Sequence, residues 1–420
     1  MKNEREVEFM DNKDEEILYD KSYIDVDQVK RFIKKLNIPK EYFKIDLDKF
    51  FSNDFNIYVS IRENAGKTSQ ALILGLVLRR LYGTRTEYLR CDEQQIARAS
   101  VENLYDTVVA LGYIEKIFPK MYNDVQYSST QKSFKLVWID SDGIVKNKQD
   151  DPFCVLHSNE NWKKYKSSYN SSKGDYIVFD EFFDSDRPTY RQMTELMNNI
   201  STIGRVGSKQ RRNNVHVLML GNNTGEFSHW WDDFTITEQI KELNKFGTNF
   251  ETVTELGTSI YCKLIEVNEN KKAEIKSKKI KFFGFNTPEM AQFNGTQVWT
   301  NVNYPQIPED DMFDEKCKIW DKLYIYHRNR YIQLDLYNKK EYGYYVFLHW
   351  TNEPDKDKRC IILTMNPNSP REVYGYGRTN FSDQMFNVIK KYVMLKGENR
   401  WYYHNNQIGA IVDDYEKNTK

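Results

Sequence analysis

The sequence predicts an α/β protein with a mostly parallel sheet flanked by helices, followed by a smaller α+β domain. Three observations carry that expectation. Apolar strand-like runs alternate with helix-like runs over the first two thirds of the chain. Residues 176–179 form a short continuous apolar run of the kind that strands buried on both faces show. Beyond a Pro-containing stretch at residues 295–308, four strand candidates follow one another without intervening helices.

The elements are justified in chain order. Residues 26–36 place Val29, Phe32, Ile33 and Leu36 on one helical face, with Pro39 just beyond. Residues 55–61 read as a strand, 68–81 as an apolar helix and 86–90 as a second strand. A helix is expected over about 93–111. The turn Asp140-Ser141-Asp142-Gly143 separates strands at 135–139 and 144–146, a hairpin signal. Residues 190–202 read as helix and 215–220 as an apolar strand. In the second domain the strand candidates are 323–326, 331–336, 344–350 and 360–365, closed by helices at 383–395 and near 406–415. The expected division is an acidic arm at 1–45, a main domain at 46–295, a linker at 296–320 and a C-terminal domain at 321–420.

Composition narrows the function classes. The chain has 420 residues, with 61 Lys plus Arg against 61 Asp plus Glu, so its formal net charge is +0. Residues 1–27 hold four basic and ten acidic residues, a net −6, and the remainder carries +6. Zero net charge argues against a globally basic coat for nucleic acid but does not exclude local basic patches. Mean hydropathy is −0.75. No run of ~18 apolar residues is present, so no membrane span is expected. The N-terminus lacks an apolar signal core. Five widely spaced cysteines and six histidines give neither a disulfide framework nor a zinc motif. A reducing cytoplasm is the expected compartment.

Four segments point to chemistry. Ala65-Gly66-Lys67-Thr68 lies between an apolar strand and an apolar helix, the context of a phosphate-binding loop. Backbone N–H groups and the helix N-terminus favour an anion there. Lys67 would reach the β/γ-phosphates and Thr68 would hold Mg²⁺. The first glycine of the full motif is replaced by Ile61. Ile177-Val178-Phe179-Asp180-Glu181 ends an apolar run in two carboxylates. Asp180 would bind the metal, and Glu181 would activate water as the general base. Leu218-Met219-Leu220-Gly221-Asn222-Asn223 places an amide just past a strand, where Asn222 could sense a γ-phosphate, although Gly-Asn is also a turn dipeptide. The loop 204–212 has four basic residues and no acid. Arg205 could serve a neighbouring subunit's phosphate site, contact nucleic acid or simply be solvated. Together these segments favour a P-loop NTPase that hydrolyses ATP with Mg²⁺. A nucleotide-binding scaffold with a degenerate loop is the alternative.

Strand–AGKT–helix, IVFDEFF, Thr202-Ile203-Gly204-Arg205 and Leu220-Gly221-Asn222 resemble the genome-packaging ATPases of small short-tailed phages. These are compact, terminase large subunit-like encapsidation proteins of the picovirus group. Glu87-Tyr88-Leu89-Arg90 resembles their arginine-bearing strand, and Arg62 stands near the place of their loop arginine. The resemblance implies an additional-strand, catalytic-glutamate ATPase. It makes Arg205 a trans-acting arginine finger and Asn222 part of a coupling motif. It places Arg62, Ala65, Gly66, Lys67, Thr68 and Arg90 at the nucleotide, and Thr68 and Asp180 at the metal. It also implies a homo-oligomeric ring, typically a pentamer, on the portal of a procapsid in the host cytoplasm. That ring would drive double-stranded DNA inward. The C-terminal domain would resemble an RNase H-type nuclease without its acidic cluster; an active nuclease is the alternative. A packaging RNA stays open as a further partner. Within that domain, Tyr324, Tyr326, His327, Arg328 and Arg330 group aromatic and basic side chains, which suits nucleic-acid contact or a packed sheet with surface arginines.

Overall fold

The computed structural model describes residues 24–39, 43–60, 66–161, 163, 176–183, 189–203, 205–206, 210–211, 215–222, 228–246, 249–265, 304–306, 318–339, 343–354, 361–364, 373–374 and 383–419. The acidic head before residue 24 and the Lys-rich segment 271–281 lie outside them. So do Arg62, Ala65 and most of residues 295–308.

Two short helices precede the sheet. The first, α1 (Val26–Lys35), is capped by Asp25, whose carboxylate accepts from the Gln28 N–H at 2.9 Å. The second, α2 (Leu47–Ser52), is capped in the same way by Asp46. The strand β1 (Phe55–Ser60) then leads to α3 (Lys67–Tyr82). Gly66 (φ 79°) and Gly83 (φ 69°) bracket this helix in left-handed conformations that cost a glycine little. From Gln70 to Arg79 α3 is buried, because it lies against the centre of the sheet. At Gly75 it approaches β2 (Thr86–Arg90) so closely that a Cβ would stand 2.3 Å from Thr86 Oγ1.

The expected helix over 93–111 is broken. A 3-10 turn (Gln94–Ile96) is followed by α4 (Arg98–Val101) and α5 (Asp106–Ala110), and α6 (Tyr113–Ile117) comes after them. Local side-chain bonds displace the helical ladder. Gln95 Oε1 accepts from the Cys91 and Asp92 N–H groups, and Asp92 Oδ1 accepts from the Gln95 N–H. Ala97 is extended and Gly112 left-handed, so the chain turns at both.

The strands β3 (Asp124–Ser128), β4 (Ser133–Ile139), β5 (Val145–Lys148) and β6 (Cys154–Ser158) follow, with the expected hairpin turn between β4 and β5. Next come β7 (Tyr176–Asp180), α7 (Thr189–Ile203), β8 (Arg205–Val206), β9 (Gln210–Arg211) and β10 (His216–Asn222). The first domain ends in α8 (His229–Asp233), α9 (Thr237–Phe246), β11 (Asn249–Val253) and β12 (Ser259–Ile265).

These strands build one sheet in the order β11-β12-β1-β10-β7-β2-β6-β4-β3, with β5 on β4. The six strands from β12 to β6 are parallel, and antiparallel strands extend both edges. The strand β7 is buried throughout, as its continuous apolar run requires. One core lies on the α3 face (Leu72, Leu76, Val178, Leu218) and another on the α7–α8 face (Leu89, Ile177, Phe179, Met219, Trp230). Register pairs Ser60 with Asn222, Leu220 with Asp180 and Leu89 with Phe179. The C-terminal ends of β1, β10, β7 and β2 therefore meet at one edge.

A second sheet holds β13 (Lys318–His327), β14 (Arg330–Lys339), β15 (Gly343–Thr351), β16 (Ile361–Thr364), β17 (Val373–Tyr374) and β18 (Trp401–Tyr403), in the order β17-β16-β13-β14-β15-β18. The helices α10 (Asp383–Gly397) and α11 (Asn406–Thr419) share one core with it, formed by Leu323, Leu334, Leu348, Tyr392, Ile408 and Val412. Residues 304–306 already dock on this unit. The Pro305 carbonyl accepts from the Tyr403 N–H at 2.8 Å, and Tyr304 OH donates to Asp413 at 2.6 Å.

The aromatic and basic group at 324–330 is divided between the interior and the surface: Arg330 is exposed, with its guanidinium 5.6 Å from the Trp350 ring centroid, whereas the others are partly or wholly engaged. Tyr324 is buried, and His327 Nε2 lies 2.7 Å from Asp414. Arg328 and Asn329 form the β13–β14 turn with φ of 50° and 60°. That turn aims Arg328 across the domain boundary. Its Nε donates to Asp414 at 2.8 Å and its guanidinium to the His229 carbonyl at 3.1 Å, while Asp233 stands 3.4 Å away. Burial pushes the Asp233 carboxyl up to about 6, with Arg328 acting in the opposite direction. Replacing Arg328→Ala removes charge-assisted bonds on both sides of the boundary. We expect a loss of about 2 kcal/mol, or roughly thirtyfold faster amide exchange in α8 and α11. Unchanged exchange there would mean that the contact holds nothing.

His349 Nε2 lies 2.8 Å from Asp335. That hydrogen bond, opposed by burial, raises the His349 pKa above its ordinary 6.5. The pair's stabilisation is thus complete below about pH 6.5 and is lost as pH rises through the folded value. His349→Gln should remove this loss, flattening the decline in stability of the second sheet and its helices as pH rises above about 6.5 in denaturant titrations.

Candidate active site

The shared strand edge brings together most of the side chains singled out from the sequence. Lys67 opens α3, is 7% exposed, and donates through Nζ to Asn222 Oδ1 at 2.7 Å. Thr68 Oγ1 donates to Asp180 Oδ2 at 2.8 Å. Asp180, the last residue of β7, is 1% exposed. The same carboxylate oxygen accepts from Tyr88 OH at 2.6 Å. Arg90 Nε donates to Tyr88 OH at 3.1 Å, and its terminal nitrogens reach both acids. One is hydrogen-bonded to Glu181 Oε2, and the other stands 3.4 Å from Asp180 Oδ2.

The backbone after β7 has its own supports. Glu181 is left-handed at φ 54°, a conformation unfavourable for a side chain with a Cβ. Its N–H donates to Asp180 Oδ1 at 3.1 Å. Phe182 donates from its N–H to the Leu220 carbonyl at 3.4 Å and accepts from Trp230 Nε1 at 3.0 Å. Gly221 has no side chain because Phe183 fills that space; a Cβ would lie 2.5 Å from its ring. The dipeptide Gly221-Asn222 is therefore the end of a strand, not a free turn.

Burial raises the Tyr88 hydroxyl well above its usual pKa, and the nearby Asp180 charge adds to this. Tyr88 therefore stays a donor. Burial also works against the Arg90 charge, but the Tyr88 and Asp180 oxygens outweigh it and its pKa is raised. Two cations, Lys67 and Arg90, face two carboxylates, Asp180 and Glu181. The Thr68 hydroxyl and Asp180 carboxylate are hard oxygen donors of the type Mg²⁺ takes, placed beside a helix N-terminus suited to phosphate.

Arg205 lies in β8, paired with Arg211 of β9 just beyond α7. Its side chain is not among those described. Sequence reasoning missed Tyr88. Its signal was the i, i+2 spacing of Tyr88 and Arg90, which puts both on one face of β2. Trp230 was also missed, and nothing in the sequence marked it as a partner of the Phe182 carbonyl. Among the described residues, no helix is long and apolar enough to cross a membrane.

The fold is similar to that of solved phage DNA-packaging motors. Two solved structures align over almost their whole length. One is described as the Phi-28 gp11 DNA packaging motor, at 14% identity, covering 91% of this chain and 99% of that one with a TM-score of 0.53. The other is the bacteriophage Phi-29 viral genome packaging motor assembly, at 14% identity, 91% and 100% coverage and a TM-score of 0.54. No protein-family model matches the chain, and no curated protein matches it.

The Arg90 side chain is only 15% exposed, beside two carboxylates. Arg90→Ala leaves those charges uncompensated and should destabilise the larger domain by about 3 kcal/mol in urea unfolding. Arg90→Lys should recover only part of this, since a lysine lacks the Nε donor and the fork. Full recovery by lysine would show that charge alone matters.

Proposed function

We propose that the chain is an ATP-hydrolysing motor that packages double-stranded viral DNA into a preformed procapsid. The observation that carries this reading is the meeting of Lys67, Thr68, Asp180, Glu181, Asn222 and Arg90 at one sheet edge, in a chain-long packaging-motor fold. The placement of β10 between β1 and β7 supports an additional-strand ATPase.

In this reading Lys67 exchanges Asn222 for the β/γ-phosphates, and the α3 N-terminus adds its N–H groups. Thr68 and Asp180 would hold Mg²⁺. The ion, when bound, neutralises charge on the phosphate oxygens. Glu181 leaves Arg90 and orients the attacking water, accepting its proton. Asn222, once released by Lys67, reports the phosphate state along β10. Arg205 completes the site of the next subunit, which requires a ring, taken as a pentamer on the portal. The strand order β15-β14-β13-β16-β17 supports an RNase H-like C-terminal domain. Its strand carboxylate Asp335 is engaged by Gln333 and His349, which favours a gripping role over cleavage.

Glu181→Gln should bind ATP with near-normal affinity but lower turnover about 10²–10⁴-fold. Phosphate release with and without DNA measures this. Mixing Glu181→Ala with Arg205→Ala subunits should restore part of the activity, because one interface regains both groups. Normal hydrolysis by Glu181→Gln sinks the base assignment. Absence of rescue sinks the shared site.

A further inference from the structure

We propose that Tyr88 is a positioning residue whose phenol anchors Arg90 and thereby sets how Glu181 is held and released. This inference rests on the hydrolytic reading of the site.

The argument begins with burial. Tyr88 is 0% exposed, on β2 between β6 and β7, and its ring belongs to the core under α3. A phenylalanine would bury the same apolar surface without a hydroxyl that must be satisfied. The hydroxyl has two partners of fixed polarity. Asp180 as a carboxylate only accepts, and a guanidinium only donates. The phenol hydrogen is therefore directed to Asp180 Oδ2, at 2.6 Å, and a lone pair to Arg90 Nε, at 3.1 Å.

That chain of bonds fixes one edge of the guanidinium and leaves its two terminal nitrogens pointing at the two acids. Arg90 Cζ lies 5.6 Å from the Tyr88 ring centroid, so the fork is held beside the ring as well as by the hydroxyl. The Glu181 side chain is 40% exposed, whereas Asp180 is almost fully buried. Of the two acids, Glu181 is thus the one with room to leave. With Nε anchored, Arg90 stays on Asp180 when Glu181 turns to water, and no buried cation is left unpaired. Without the anchor, releasing Glu181 means moving Arg90 as a whole.

The test compares Tyr88→Phe, Arg90→Lys and the double variant in the full chain. Tyr88→Phe should leave KM for ATP within about twofold and lower kcat by about tenfold. The double variant should have the kcat of Arg90→Lys, because a lysine has no Nε for Tyr88 to hold. A second readout needs no turnover. The Arg90 Nε–H resonance, assigned by its absence in Arg90→Lys, should be protected from solvent exchange in the unmodified chain and lose protection in Tyr88→Phe. A wild-type kcat in Tyr88→Phe, effects that multiply in the double variant, or an unchanged resonance would each overturn the proposal. If the unmodified chain hydrolyses no ATP, the hydrolytic reading fails, and the resonance alone decides whether Tyr88 anchors Arg90.

Discussion

The site is organised around one buried carboxylate. Asp180 accepts from the Thr68 hydroxyl, the Tyr88 phenol and the Glu181 N–H, with Arg90 at 3.4 Å. Taking a carboxylate out of water costs several kcal/mol unless hydrogen bonds and a countercharge replace the lost hydration. Those partners come from three different parts of the chain: α3, β2 and the turn after β7. Satisfying Asp180 therefore fixes the spacing of α3, β2 and β7 at once.

The same arrangement ties readiness to pairing. Lys67 with Asn222 and Arg90 with Glu181 are opposite or complementary groups held in contact. Binding a polyanion at such a site is an exchange of partners, so its net free energy is far below the gross attraction. An exchange of this kind also carries information. The amide that Lys67 holds lies on β10, and α8, which follows that strand, holds the Phe182 carbonyl and accepts from Arg328 beside the second sheet.

Much of this was legible in the sequence for identifiable reasons. Apolar runs marked β1, β7 and β10 because buried parallel strands leave no room for polar alternation. Ala65-Gly66-Lys67-Thr68 stood near the start of α3 because it lies between an apolar strand and an apolar helix; the left-handed Gly66 cap itself left no mark. The segment at 93–111 has helix-like composition, but bonds from Asp92 and Gln95 and the turn at Gly112 break it up; periodicity does not register such competition. The strand Trp401–Tyr403 was too short to announce itself. Long-range partners were invisible: nothing local tells that Tyr88 meets Asp180, or that Arg328 turns toward Asp233 rather than toward solvent.

The strand order has a consequence for synthesis. Both neighbours of β1 come late: Phe55 pairs with Val217 on one side and Ile260 on the other. At translation rates of about 5–20 residues per second, β1 waits roughly 10–40 s before its second edge is covered. Until then it is an apolar strand with open hydrogen-bonding edges, the form most exposed to wrong pairing. The edge of β1 that faces β12 is thus the last seam of the first sheet to close, and the chain's exposure to wrong pairing is set by the length of that interval.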